Sequence, residues 1–418
     1  MEVLLVFSLT LLAAVMLSGI ARRGILSTAV LFLVVGFVAG QGVLGLISIQ
    51  PDDTLVTTLA ELALVSVLFT EGMGAGLHDL TSAWRLPGRA LFLGLPLTLL
   101  GTAALAHWIA GLPWPESFLL GAILSPTDPV FAAAVVGEER VPLRLRRLLN
   151  VESGLNDGLS LPIVLFLLGR LGASQGPPGS LLVELLLGVA LGIAMPWIIL
   201  RIERLPFLYL STTYEPLNAF AIGMVVLSVG YVTNANLFLA AFVAGSTVAT
   251  TSPGVRDAFL GFGESITELT KLAALLVFGA LISPEVLSSG ISLGGYIFAA
   301  LALLVVRFGA LGVALFGTRI PLHEWLVAGW FGPKGFATMV YGLLVLRSGV
   351  PQASDMFHLV VLVVGGSILI HSSTDSVVAL WFKEARAESE ASPEQQGDQP
   401  SLTGPKEEPP DGGEARSG

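Results

Sequence analysis

The sequence predicts an all-α polytopic membrane protein with about thirteen transmembrane helices. Three observations carry that prediction. Hydrophobic residues make up 54% of the 418-residue chain and charged residues 12%, about half the charged share of an ordinary soluble domain. Mean hydropathy is +0.82. Thirteen apolar runs near spanning length follow one another, and they do not alternate polar with apolar as barrel strands would.

In order, the runs fall near 3–20, 25–47, 54–73, 90–111, 116–136, 151–171, 180–200, 214–233, 236–251, 262–283, 290–316, 325–346 and 356–382. No basic stretch precedes the first and no clear cleavage site follows it, so it reads as a retained helix. Basic residues alternate between the gaps. Arg22 and Arg23 follow the first run, Arg85 and Arg89 the third, and Arg140, Arg144, Arg146 and Arg147 form a basic loop after the fifth. Arg201 and Arg204, then Arg256, Arg319, and Lys383 with Arg386, follow the seventh, ninth, eleventh and thirteenth; Arg170 and Arg347 are the exceptions. Basic loops stay in the cytoplasm, which puts the N-terminus outside and the C-terminus inside, as an odd number of spans requires. Residues 383–418 hold nine acids against four bases and are rich in Pro, Glu, Gln, Ser and Gly. They read as a disordered, acidic cytoplasmic tail.

The net charge of −10 is half in that tail, no basic domain suggests nucleic acid, and zero cysteines exclude disulfides and thiolate metal sites. The five histidines lack metal spacing. Chemistry therefore rests on charges inside spans, each costing at least ~2.5–3.5 kcal/mol even on the insertion scale.

The densest set lies between Ser125 and Asp157. Pro126 and Pro129 flank Thr127 and Asp128 in the fifth run. Each proline removes a backbone donor and clashes with the turn before it, so the helix should break, which is tolerated only against protein or a watery cavity. A bare proline kink is the plainer alternative. The twelfth run has a matching interruption, Gly332-Pro333-Lys334-Gly335. Paired breaks in corresponding halves point to inverted repeats and a transporter site. With the seventh run as hinge, the fifth corresponds to the twelfth.

In the sixth run Glu152, Ser153, Asn156 and Asp157 cover an arc of roughly 140° on one helix side. All four offer oxygen ligands, which suit hard cations. A capped helix start accounts for Glu152 and Ser153, but not for Asp157 a turn deeper. Glu71, ending the third run, is either an interfacial glutamate or a cavity acid. Lys334 needs an anion, with Glu152 as the candidate. Arg307, mid-run in the eleventh, needs a counter-charge or carbonyl ends and takes a structural role. Glu264, Glu268 and Lys271 sit at helical spacing, so a local ion pair is the plain reading.

Together, Phe69-Thr70-Glu71-Gly72, Thr127-Asp128-Pro129, Glu152-Ser153-Gly154-Leu155-Asn156-Asp157 and Gly332-Pro333-Lys334-Gly335 resemble the monovalent cation/proton antiporter family, the sodium/proton exchangers, in its Asn-Asp electroneutral branch. The resemblance covers residues 1–382. It implies a transmembrane exchanger domain with dimer and core subdomains, a homodimer in the lipid bilayer of the cell membrane, and crossed broken helices in runs five and twelve. It implies that Asp157 binds the cation or the proton, helped by Asp128, Ser153, the Thr127 backbone and Glu71, and that Asn156 orders Asp128. One departure stands out: the family usually has Arg at Lys334, paired with the glutamate matching Glu152.

The reading is a secondary-active antiporter exchanging Na⁺ (or K⁺, Li⁺) for H⁺ by alternating access, without cofactor. Two rivals are weighed. A sodium-coupled symporter of an organic anion would need deep cationic donors, for which Lys334 and Arg307 are the candidates. An intramembrane hydrolase would need a Ser-His pair, facing catalytic acids or a His-Glu metal motif.

Overall fold

A computed structural model describes residues 2–21, 28–40, 43–74, 85–128, 135–136, 138, 140–172, 180–205, 214–284 and 291–391. Among these the chain is helical throughout, with no strand. The helices are α1 Glu2–Ala21, α2 Thr28–Ala39, α3 Thr54–Gly74, α4 Arg85–Trp108, α5 Trp114–Leu124, α6 Leu143–Arg170 and α7 Ser180–Glu203. They continue as α8 Glu215–Thr233, α9 Leu237–Thr251, α10 Pro253–Leu281, α11 Leu293–Ala314, α12 Leu322–Trp330, α13 Phe336–Arg347 and α14 Ala353–Ala391. Seven are long and apolar enough to cross a membrane: α3, α4, α6, α7, α8, α11 and α14; several others are apolar but shorter. With no water in the bilayer core to satisfy backbone groups, a helix bonds them internally.

The twelfth run holds two helices, α12 and α13, on either side of its Gly-Pro break; in the fifth, α5 ends at Leu124 and residues 135–136 are again helical. α4 and α11 carry a π turn, at Ala90–Gly94 and Ala302–Val306, and the second ends at Arg307. Such turns re-aim side chains inside a continuous helix.

Several boundaries differ from the sequence reading. α2 stops at Ala39, and the chain reaches Gly45 with a positive φ of 64°. α6 begins at Leu143, so Arg144, Arg146 and Arg147 belong to its first turns and not to a loop. The reason is an apolar stripe, Leu145, Leu148 and Leu149, that is buried and in register with Glu152 at helical spacing. Glu152 is thus well inside α6, and the capped-start explanation falls. α14 runs through Lys383 to Ala391, which corrects the start of the tail. Residues 383–391 are dominated by Ala, Glu, Lys and Arg, good helix formers that extend an existing helix cheaply. The remainder of the tail, the second half of the broken fifth run from 129 to 134, and His78 lie outside the described residues.

α3 lies between α9 and α10 at the centre of the bundle. A methyl added to Gly245 would strike the Phe69 carbonyl oxygen, and one on Gly72 the Phe242 carbonyl oxygen. Small residues there let two backbones touch, which is how membrane helices gain packing energy without a hydrophobic drive. That contact, with Thr70 hydrogen-bonded to Thr267 of α10 at 2.9 Å, fixes α3 so that Glu71 faces inward.

Candidate functional site

The two helix breaks bond to each other. α5 ends at Leu124 and α12 at Trp330, while α13 restarts at Phe336. Asp128 donates its backbone N–H to the Pro333 carbonyl (2.9 Å). The Asp128 carboxylate accepts the Phe336 N–H at 3.0 Å, so an acid from one break caps the first turn of the half-helix beyond the other. The Lys334 ammonium donates to the carbonyls of Ser125 (3.3 Å) and Pro126 (3.2 Å), at the C-terminal end of α5. Both contacts put the sign of charge that a helix end favours, and both satisfy backbone groups orphaned by the breaks. Gly335 is required between them, because any Cβ would occupy the space of the Asp128 carboxylate.

α6 lies against this junction and contributes Ser153, Asn156 and Asp157, all buried with Thr127 and Asp128. Thr127 is the knot. Its hydroxyl accepts from the Asn156 amide at 2.7 Å and pairs with the Ser153 hydroxyl at 3.0 Å. Asn156 thereby bonds Thr127, next in the chain to Asp128, the residue the resemblance expects it to order. The Asp157 carboxylate receives no hydrogen bond from the described residues, although its backbone carbonyl accepts from Tyr341 of α13 at 3.2 Å. It interacts electrostatically with Asp128, Lys271 and Lys334. Glu71 interacts with Asp157, Lys271 and Asp128. These neighbours support the cavity-acid alternative for Glu71.

Two buried oxygens here, Glu71 Oε2 and Asn156 Oδ1, have no hydrogen-bond partner among the described residues. Buried polar atoms normally are satisfied, so orphaned oxygens beside free carboxylate capacity suit a hard cation or a proton. Among the described residues no three His, Asp or Glu side chains converge as a metal-ion cluster.

The pairing of Lys334 with Glu152 is overturned. Glu152 takes both guanidinium nitrogens of Arg307, at 2.8 and 2.9 Å, with both residues about 4% exposed. Arg307 Nε also donates to the Ala328 carbonyl at 3.1 Å, near the end of α12. A planar fork matches a carboxylate bidentately, whereas an ammonium is a compact point charge better suited to converging carbonyls. The two cations are thus divided by geometry, and the Lys334 departure becomes intelligible: the family-type ion pair is made by Arg307 from another helix.

Lys271 is the functional candidate that sequence reading missed. It is buried on α10, and its ammonium stands 3.9 Å from Asp128. The nearby Glu264 and Glu268 made a local pair the simpler reading. The available signal was depth, since a lysine seven residues beyond Glu264 lies well inside the span. Glu324 and Asp375 are further buried acids. Glu324, in the first turn of α12, takes a bidentate bond from Arg144 at 2.6 Å twice. Asp375 of α14 accepts the Val135 N–H at 3.0 Å.

A helical bundle with two mutually capped breaks, buried oxygen ligands and a carboxylate free to exchange its partner defines a carrier for a small cation. The sequence profile of the transmembrane sodium/hydrogen exchangers matches residues 7–381, and the chain belongs to that family of cation/proton antiporters. It is 26% identical over 91% of its length to the K(+)/H(+) antiporter NhaP of Alkalimonas amylolytica, covering 67% of that protein. It is 23% identical over 90% of its length to the K(+)/H(+) antiporter NhaP2 of Shewanella baltica (strain OS223), covering 66% of it. The chain thus spans about two thirds of the length of these curated relatives. Its fold matches the sodium proton antiporter MjNhaP1 from Methanocaldococcus jannaschii with a TM-score of 0.72 at 18% identity, over 91% of this chain and 99% of that one.

Proposed function

We propose that this protein exchanges Na⁺ for H⁺ one-for-one across the cell membrane by alternating access, with Asp157 as the group that holds either ion. The observation that carries this is the Asp157 carboxylate, buried at 3% exposure and without a hydrogen bond from the described residues. It sits beside the Thr127–Ser153–Asn156 knot and the orphaned Glu71 Oε2. Thr127, Ser153, Asp128 and Glu71 are the supporting oxygen ligands in this reading. K⁺ is the second cation to consider, favoured by the names of the sequence relatives.

Electroneutrality follows from charge counting. Lys271 stands against Asp128 and offsets it, and Arg307 offsets Glu152; in this reading Glu71 and the carbonyl-bound Lys334 keep their protonation through the cycle, and Asp157 is the carboxylate whose charge the cargo cancels. Asp157 with Na⁺ and Asp157 with H⁺ then carry the same net charge across the barrier. A second titrating group would add a charge worth ~2.3 kcal/mol per 100 mV. In proteoliposomes, cation-driven proton flux is expected with Na⁺, and its rate should not change when a valinomycin potassium potential is imposed under conditions where K⁺ is not carried. A systematic dependence on voltage would replace the single-carboxylate model with one in which Glu71 or a lysine also titrates. Absence of flux with Na⁺, K⁺ and Li⁺ alike would remove the exchange reading.

The proposed orientation keeps the N-terminus outside and the C-terminal segment in the cytoplasm, and the proposed assembly is a homodimer in the bilayer. Support for the orientation is that Arg85, Arg89, Arg144 and Arg319, from three separate gaps, line one cavity, so those gaps share a membrane side. This cysteine-free chain makes a direct check simple. Single cysteines at Arg319 and in the tail should resist an impermeant thiol reagent in intact cells and react after permeabilisation. Labelling in intact cells would reverse the orientation.

A further inference from the structure

We propose that the basic cavity between α4, the start of α6 and the α11–α12 connection binds the phosphate-bearing head group of an anionic phospholipid of the cytoplasmic leaflet. The proposal rests on the orientation given above, and not on which ion is carried.

The cavity has a volume of about 730 Å³ and is lined by four arginines, Arg85, Arg89, Arg144 and Arg319. No carboxylate lines it among the described residues. The acid closest in role, Glu324, is only 2% exposed and already spans the Arg144 guanidinium with both oxygens at 2.6 Å. Arg89 spends one nitrogen on the Phe316 carbonyl at 2.9 Å. Arg85 and Arg319 make no hydrogen bond or ion pair with a described residue. Two or more unneutralised guanidiniums around one concavity repel each other, and a bound anion relieves that cost. Guanidinium favours phosphate because its fork meets two phosphate oxygens at once and gives up little hydration.

The far wall decides between a lipid and a soluble anion. Phe92 and Leu93 line the same cavity and are 59% and 48% exposed. They lie on the π turn Ala90–Gly94 that directly follows Arg89. A cationic floor with an apolar wall matches an amphiphile whose phosphate meets arginine and whose chains cover phenylalanine and leucine. Basic pockets between membrane helices on the cytoplasmic side take such head groups. The acidic tail is the competing anion within this chain, but a carboxylate-rich peptide offers nothing to cover the apolar wall. The elements that meet at the cavity also carry Glu152, Arg307 and Glu324, so head-group binding would hold together helices that support the ion site.

The test uses the full-length protein purified in a neutral detergent. Phosphatidylglycerol titrated into the micelles is expected to raise the melting temperature of the wild type and to remain bound in native mass spectrometry. Phosphatidylcholine and inorganic phosphate should do neither. R85Q/R319Q should weaken the apparent phosphatidylglycerol affinity on the order of thirtyfold, and R319Q alone about fivefold, from the worth of a basic side chain near an anionic membrane surface. Because Arg319 is exposed on a connecting loop, the single variant keeps the test available should the double variant fold poorly. Deleting residues 392–418 should leave the affinity unchanged. Wild-type affinity in R319Q and R85Q/R319Q would overturn the site. Equal stabilisation by inorganic phosphate would make it a free-anion site, and loss of the effect on tail deletion would make it a tail-docking site; either result overturns the lipid assignment. In phosphatidylcholine liposomes R85Q/R319Q should still exchange cation for proton. Loss of exchange in the wild type there would count against the transport reading alone.

Discussion

Asp157→Asn is expected to reduce cation-driven proton flux to the background of empty liposomes while the purified protein keeps its fold. Asparagine preserves the size of the side chain and one coordinating oxygen, but it can neither take up a proton at physiological pH nor offset a cation's charge. In a low-dielectric site that loss is severe, because an uncompensated cation pays most of its desolvation without return. The Asp157 side chain makes no hydrogen bond with described residues, so the substitution breaks none. Its neighbours in the Thr127–Ser153–Asn156 knot keep their own bonds. Melting temperature should therefore hold or rise. Flux is measured by a pH-sensitive dye in proteoliposomes with Na⁺, K⁺ and Li⁺ in turn. Wild-type flux in the variant would move the carrier role to another acid, with Glu71 and Asp128 next in line.

The second large effect concerns stability. Arg307→Ala should strand Glu152 as a buried charge and destabilise the protein by ~3–5 kcal/mol, read as a fall in melting temperature. Glu152→Ala should do the same by stranding Arg307. The double variant should recover part of the loss, since two absent charges cost less than one unpaired one, and the cycle should show a coupling of ~0.5–3 kcal/mol or more. Lys334→Ala combined with Glu152→Ala should show a weaker coupling than the Arg307 pair, because Lys334 bonds the Ser125 and Pro126 carbonyls and meets Glu152 only through space. Strong coupling between Lys334 and Glu152, with none between Arg307 and Glu152, would restore the pairing suggested by sequence alone.

That reversal shows where sequence reading stops. Charges in apolar runs are conspicuous because lipid makes them expensive, so Asp128, Glu152, Asp157, Arg307 and Lys334 could all be found by inspection. Which cation meets which anion is a matter of angle between helices far apart in sequence. Glu152 and Arg307 are 155 positions apart, and no local pattern relates them. The helical spacing of Lys271 to Glu264 and Glu268 predicts a local partner, and Glu268 does interact with it; the Asp128 contact at 3.9 Å comes from a segment far away in sequence. That Asn156 bonds Thr127, next to the Asp128 it is expected to order, is likewise beyond the sequence, because no periodicity holds along the irregular segment after α5.

What the sequence by itself determined was whatever depends on solvent and on local backbone chemistry. Sustained apolar runs dictated a helical membrane bundle, prolines and glycines placed the interruptions in runs five and twelve, and the acids on one side of α6 marked the site. The extents of α6 and α14 followed a buried leucine stripe and a run of helix formers, signals present in the sequence but outweighed by their charge. Only the tertiary structure decided that the two breaks cap each other through Asp128 and Lys334, that Lys271 faces Asp128, and that arginines from three gaps share one cavity. Those relations rest on side chains meeting across helix interfaces, where energy depends on distance and direction rather than on order along the chain.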